Sequence, residues 1–87
     1  MKIRNGYILK TIAGRNVVVS FGAQTDFKGM LVLNDTSVFL WNLLNEGATK
    51  ETLLDKILSE YDIDRETAAT DIDNFLDRLR KAGILEE

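Results

Sequence analysis

Residues 33–44 constrain the fold more than any other part of the chain. Between Val38 and Leu44 the only polar residue is Asn42. Apolar positions therefore surround nearly the whole circumference of a helix instead of forming one stripe. A helix of this kind is buried, with packing partners on several sides. The strands predicted before it and the helices predicted after it are expected to supply those partners.

Polar residues and a glycine mark the two ends of this helix. Asn34 or Asp35 can accept a hydrogen bond from an unpaired N–H group of the first turn, which places the start. Gly47 supplies the left-handed residue that commonly follows a helix, which places the end. The sequence therefore predicts a helix between about residues 35 and 46.

Three β-strands are predicted ahead of this helix. Residues 6–12 and 17–21 are rich in β-favouring side chains, and a turn at 13–16 joins them into an antiparallel hairpin. A loop at 22–29 leads to a third strand at 30–33.

The third strand is apolar at every position, so alternation cannot show which of its faces is buried. A meander leaves such a strand at the sheet edge, where natural proteins place lysine, proline or a bulge. Residues 30–33 contain no lysine or proline. Two interpretations stay open: a helix or loop of the chain covers this edge, or a strand from a partner completes it.

Two further helices follow. Thr49 and Asp64 are suited to N-cap them, and Gly83 is suited to end the third helix, which is predicted from about Arg65 to Lys81. Apolar residues recur at helical spacing in both: Leu53, Leu54, Ile57, Leu58 and Tyr61, then Ala68, Ile72, Phe75, Leu76 and Leu79. Three strands followed by three helices predict an α+β fold, with residues 1–87 forming a single domain.

The composition excludes several classes of chemistry. The chain has no cysteine and no histidine, which removes zinc and iron–sulfur sites, thiol redox chemistry and histidine-based triads. Asp73 and Asp77 share a helix face, but that face is expected to be exposed, where carboxylates catalyse little. We therefore expect no enzymatic activity, no cofactor and no metal.

Charge is unevenly distributed along the chain. Residues 1–25 carry four bases and no acid, whereas residues 26–87 carry seven bases and fourteen acids. The short link at 62–63 is typical of a helix-turn-helix, and a winged-helix-like nucleic-acid-binding domain is the alternative function. The first half of the third helix is acidic, which is the wrong sign for DNA. No signal peptide or membrane-length apolar run is visible, so a cytoplasmic protein is expected.

Four segments in a fixed order resemble the PqqD-like family, also called recognition elements for ribosomally synthesised and modified peptides. They are Leu33-Asn34-x-Thr36, Glu46-Gly47-Ala48-Thr49, Asp71-Ile72-x-x-Phe75-Leu76-x-x-Leu79 and Gly83-Ile84-Leu85. The resemblance implies a three-stranded sheet, a three-helix bundle and no catalysis. It further implies an adaptor that binds the leader segment of a precursor peptide and presents it to a modifying enzyme, often a radical SAM maturase.

In such proteins the leader adds as an extra strand beside the third strand, in a cleft closed by the third helix, which is β-augmentation. The resemblance implies the following peptide-binding residues here: Lys28, Gly29, Met30, Leu31, Val32, Leu33, Asp71, Asn74, Phe75 and Arg78.

Roles can be assigned within this set. Met30 and Val32 are expected to face the peptide, and Leu31 and Leu33 the core. Phe75 is expected either to form an apolar wall or simply to pack in the core. Arg78 is expected to pair with an acid of the leader.

One departure bears on the pathway. Family members devoted to pyrroloquinoline quinone tend to have a proline-containing turn before the third strand, whereas residues 26–29 here are Asp-Phe-Lys-Gly. This difference favours another modified peptide. A structural subunit that binds a partner protein and no leader is the remaining alternative.

Overall fold

A computed structural model describes residues 1–21 and 31–87. The expectations for Lys28, Gly29 and Met30 fall outside the described residues. The elements in chain order are β1 Lys2–Ile3, β2 Tyr7–Ile12, β3 Arg15–Ser20, β4 Leu31–Leu33, α1 Asp35–Glu46, α2 Lys50–Glu60, α3 Arg65–Lys81 and β5 Leu85–Glu86.

The main sheet has three antiparallel strands in the order β2-β3-β4. Tyr7 pairs with Ser20 at one end of the hairpin, and Val32 of β4 lies opposite Val17 of β3. The three helices follow this sheet along the chain. The predicted α+β architecture is therefore confirmed.

The hairpin turn is shorter than predicted. Only Ala13 and Gly14 lie outside the strands, whereas Arg15 and Asn16 pair with Ile12 and Thr11. Both turn residues have positive φ, 52° and 77°, as a type I′ turn requires. This turn matches the right-handed twist of the strands, so the hairpin stays paired almost to its tip. The predicted boundary at residue 17 was wrong by two residues.

The three helices begin where their caps were predicted. The side chain of Asn34 accepts a hydrogen bond from the Ser37 amide at 2.8 Å. Thr49 and Asp64 accept equivalent bonds from the amides of Thr52 and Thr67. Each cap satisfies one N–H group that the helix itself cannot pair.

The end of α3 is a Schellman motif. The Gly83 amide donates to the Arg80 carbonyl at 3.0 Å, and the Ile84 amide donates to the Leu79 carbonyl at 2.9 Å. Gly83 has a φ of 74°, and Ile84 is fully buried. The turn therefore directs the chain back under the helix bundle.

The core is centred on α1, as the apolar stretch predicted. Trp41, Leu40 and Leu44 are at most 1% exposed, and α1 packs against β1, β4 and α2. Buried residues of α2 and α3 complete the same cluster. Among the described helices, none combines the length and the apolar run that crossing a bilayer requires.

A second, two-stranded sheet was not predicted. β1 pairs antiparallel with β5, with Lys2 opposite Glu86 and Ile3 opposite Leu85. The Arg4 amide extends the pairing by donating to the Ile84 carbonyl at 2.8 Å. Two-residue strands are too short to show a period of two, so the sequence pattern contained no signal for them.

Candidate functional site

Within residues 1–21 and 31–87, β4 pairs with a strand on one side only, that of β3. Its side chains alternate as expected. Val32 is 47% exposed, whereas Leu33 is 2% exposed and Leu31 packs against the core. Among the described residues, no strand pairs with the other edge of β4.

Arg78 of α3 reaches this edge. Its Nη2 donates a hydrogen bond to the carbonyl oxygen of Val32 at 3.1 Å. In an antiparallel ladder the N–H and C=O groups of one residue point to the same side. The Arg78 contact thus indicates that Val32 directs both groups away from β3, towards the space between β4 and α3.

A cavity of about 210 Å³ lies between the start of α1 and one face of α3. We call it the α1–α3 cavity. All four residues predicted on α3 line it, so the structure brings them together. Its lining residues are Asn34, Thr36, Ser37, Leu40, Asp71, Asn74, Phe75 and Arg78.

Phe75 packs in the core and also borders the cavity, while its predicted contact with a peptide stays a prediction. It is 3% exposed and belongs to the core cluster, yet it also lines the α1–α3 cavity. Its ring therefore forms the apolar base of a cavity whose rim is polar. Asp71, Asn74 and Arg78, which share its helix face, are exposed at that rim.

The residues contributed by α1 were missed by sequence reasoning. Asn34 is the single residue between β4 and α1, so the first turn of α1 lies directly beside the strand edge. Asn34 was assigned a capping role only, and its cap bond accounts for its side-chain oxygen. The available signal was the tight join between an apolar strand and a capped helix.

Carboxylates elsewhere on α3 have structural explanations. Asp73 pairs with Lys50 at 2.6 Å and Asp77 pairs with Lys81 at 2.9 Å, all at exposed positions. Hydrogen bonds from the backbone and side chain of Thr67 lower the pKa of Asp64, which is the expected effect of an N-cap on a carboxylate. In the described segments, no cluster of three or more acidic, histidine or cysteine residues could hold a metal.

A larger cavity, of about 540 Å³, lies elsewhere on the molecule. It is formed by β1, β5 and the segment joining α1 to α2, and it shares no lining residue with the α1–α3 cavity. It has no contact with the open strand edge. We therefore place the candidate site at the smaller cavity, where an unpaired strand and the predicted residues meet.

The electrostatics of α3 argue against DNA. Asp64, Glu66, Asp71 and Asp73 are all exposed in the first half of the helix, beside the single base Arg65. A recognition helix normally presents this half to the base edges. Phosphate groups would be repelled from it.

The chain is similar to known proteins at the levels of family and structure. Residues 16–85 match the family described as Coenzyme PQQ synthesis protein D (PqqD). The structure of TbiB1 in complex with the TbiA(beta) leader peptide is similar, with 29% identity and a TM-score of 0.79. The match covers 99% of this chain and 95% of that one.

A lasso peptide synthetase B1, solved in complex with the leader peptide, is also similar. It shares 20% identity over 99% of this chain and 96% of that one, with a TM-score of 0.77, and at this identity the likeness shows the fold alone. A comparison with curated proteins found no match.

Proposed function

The chain belongs to the PqqD family, and from this premise we propose that it is a non-catalytic module that binds the leader segment of a ribosomally made precursor peptide. The leader adds as a strand to the open edge of β4 and lies in the cleft between β4 and α3. The module then presents the precursor to the enzyme that modifies it.

The observation that carries this proposal is the open edge of β4 beside a lined cavity. Val32 offers backbone groups on the side away from β3, and Arg78 already occupies one of them with a hydrogen bond. An incoming strand can pair with such groups in the manner of β-augmentation. The side chains on one face of that strand would then point towards α3 and the α1–α3 cavity.

Backbone groups and side chains contribute differently to the proposed complex. Backbone bonds to β4 supply affinity that depends little on sequence, whereas the cavity side chains supply selectivity. Val32, Asp71, Asn74 and Arg78 are the described residues proposed to contact the peptide, with Phe75 below them. Lys28, Gly29 and Met30 are proposed to continue the contact, while Leu31 and Leu33 hold the strand on the core.

TbiB1 supports the proposal through what it binds, since it was solved with a leader peptide and is 29% identical to this chain over nearly its whole length. The lasso peptide synthetase B1 supports the shared fold. We infer that residues 1–87 act as one recognition domain, in the cytoplasm, with a radical SAM or other peptide-modifying enzyme as partner. The nucleic-acid alternative is disfavoured by the acidic α3.

Amide chemical shifts test the proposal. The isotope-labelled protein is mixed with synthetic candidate precursor peptides taken from short reading frames near its gene, and for a peptide that binds we expect shifts concentrated in residues 30–33 and in α3. A second sample contains duplex DNA at low salt, where we expect no shifts. Peptide-induced shifts confined to the β2–β3 hairpin, or none at all, would contradict strand addition to β4.

A further inference from the structure

We propose that the α1–α3 cavity is a subsite for one acidic side chain, aspartate or glutamate, of the bound peptide. This inference rests on the proposed function, because the peptide strand must lie along β4 for its side chain to reach the cavity. It goes further in naming the chemistry that the site selects. Four observations support it, and each concerns a different group in the cavity.

Ser37 is the first observation. It is only 8% exposed, and it lines the cavity, yet its hydroxyl makes none of the hydrogen bonds found among the described residues. In the same part of the chain, no side-chain oxygen or nitrogen is both sealed from solvent and unpaired. The Ser37 hydroxyl is therefore accessible to solvent at a residue that lines the cavity, and it can donate a hydrogen bond to a ligand there.

Arg78 is the second observation. A guanidinium has five N–H donors, and the contact with Val32 uses one of them. Arg78 takes part in none of the salt bridges between described residues. The contact with Val32 also holds the cation where the strand edge meets the cavity. A carboxylate that enters here can bind Arg78 through charge-assisted hydrogen bonds, the strongest kind that a side chain offers.

The start of α1 is the third observation. The amides of a first helical turn carry partial positive charge and favour an anion. The Asn34 side chain caps the Ser37 amide at 2.8 Å, but a single cap leaves other first-turn amides without intrahelical acceptors. Asn34, Thr36 and Ser37 line the cavity from this side. The partial positive charge at the start of α1 and the positive charge of Arg78 therefore both act on a ligand in the α1–α3 cavity.

Asp71 is the fourth observation, because it limits what the cavity accepts. It lies seven residues before Arg78, which is about 10 Å along the helix axis, and it lines the same cavity. Its carboxylate opposes a second negative charge in the cavity. The cavity therefore suits a single carboxylate at its Arg78 end and disfavours a more highly charged anion such as a phosphate group.

A peptide library tests the inference without knowledge of the natural precursor. Random twelve-residue peptides displayed on phage are selected against the immobilised protein. We expect the selected peptides to share β-favouring residues and to carry Asp or Glu at one fixed position relative to them. A synthetic peptide with this motif should bind about ten-fold more tightly than its Asn or Gln counterpart.

Three cavity variants sharpen the test. Arg78→Gln should remove the preference for the acid, and Arg78→Glu should replace it with Lys or Arg at the same position. Ser37→Ala should weaken binding of the acidic peptide several-fold and leave its neutral counterpart unchanged. Arg65→Gln is the matched control, since it removes the same charge from the same helix outside the cavity, and it should keep the acidic preference.

The possible failures separate the two proposals. If β-favouring peptides are selected without a fixed acid, or if Arg78→Gln and Arg65→Gln select the same motif, the subsite is wrong while strand addition stands. If no peptide is selected and the candidate precursor peptides also fail to bind, both proposals are wrong. The α-helical circular dichroism of each variant shows that the binding change does not come from unfolding.

Discussion

At the residue scale, the hairpin tip carries an unfavourable backbone conformation. Ala13 is the one described residue other than glycine with a positive φ, at 52°. An L-residue with a Cβ pays roughly 1 kcal/mol in this region, and asparagine tolerates it better. We therefore expect Ala13→Asn to raise the free energy of unfolding by about 0.5 kcal/mol, measured by urea denaturation.

Gly14 supplies the matched control for this prediction. Its φ is 77°, and a Cβ added there would meet nothing within 4 Å, so Gly14→Ala changes backbone strain without a steric clash. It should lower the free energy of unfolding by about 1 kcal/mol. A stabilising Gly14→Ala, or a destabilising Ala13→Asn, would contradict the type I′ assignment.

Asp64 makes stability depend on pH. Hydrogen bonds from the Thr67 amide and hydroxyl lower the pKa of Asp64 below its ordinary value of 3.8. The unfolded state therefore takes up the proton first as the pH falls. The contribution of Asp64 is complete well above pH 3.8 and is lost progressively as the pH falls through that value to the lower pKa of the folded state.

The Asp64→Asn variant isolates this effect, because asparagine still caps a helix but cannot ionise. We expect the thermal midpoint of the parent to fall more steeply between pH 5 and 2 than that of the variant. Parallel curves for parent and Asp64→Asn would show that the cap does not lower the pKa of this carboxylate.

Local chemistry explains which individual residues could be predicted. The caps Asn34, Thr49 and Asp64 were identified because each acts on an amide three residues away. The bond between Arg78 and Val32 spans 46 positions in sequence, and nothing in either segment alone indicates it. The open hydroxyl of Ser37 likewise depends on how α1 packs beside α3.

At the element scale, the two edges of β4 differ. One edge pairs with β3, and the other pairs with no described strand. In the antiparallel ladder, the backbone N–H and C=O groups of Leu31 and Leu33 point towards β3, whereas those of Val32 point towards the opposite edge. Proline lacks an N–H donor and is tolerated only where that donor is not used. Proline substitution therefore distinguishes the two edges.

We expect Val32→Pro to remain folded and to lose peptide binding, because it removes a donor that the incoming strand needs. Leu31→Pro, one residue away, should instead break the pairing with β3 and unfold β4. Peptide affinity is measured by isothermal titration calorimetry and folding by amide spectra. Normal peptide binding by a folded Val32→Pro variant would exclude strand addition at this edge.

The elements differed in how well the sequence defined them. The helices were predicted closely, since Val38–Leu44 is apolar nearly all round and α3 has both a cap and a terminal glycine. The strand ends were predicted less closely, because residues 13–16 were interpreted as a four-residue turn whereas Arg15 and Asn16 belong to β3. β1 and β5 are two residues each, and their pairing joins positions more than eighty residues apart.

At the scale of the whole molecule, the β1–β5 sheet fastens residues near one end of the sequence to residues near the other. Ile3 is 8% exposed and belongs to the same core cluster as Trp41 and Leu85. It also lies outside the α1–α3 cavity. Stability and peptide recognition should therefore respond differently to its removal.

We expect Ile3→Ala to lower the free energy of unfolding by about 2 kcal/mol and to leave peptide affinity unchanged at temperatures where the protein is folded. The single tryptophan, Trp41, is 1% exposed, so its fluorescence reports the unfolding. Ile8→Ala is the control, because Ile8 is 40% exposed and its loss should matter less. Equal effects of the two substitutions would contradict the role given to Ile3.

The pairing of Ile3 with Leu85 also sets an order of events during translation. Ribosomes extend a chain by about 5 to 20 residues each second, so Ile3 waits several seconds before Leu85 emerges from the exit tunnel. Until then the side chain of Ile3 is not covered by Leu85, and β1 has no strand to pair with. Pairing of β1 with β5 is therefore a late step in the formation of the domain, however early its hairpin and first helix form.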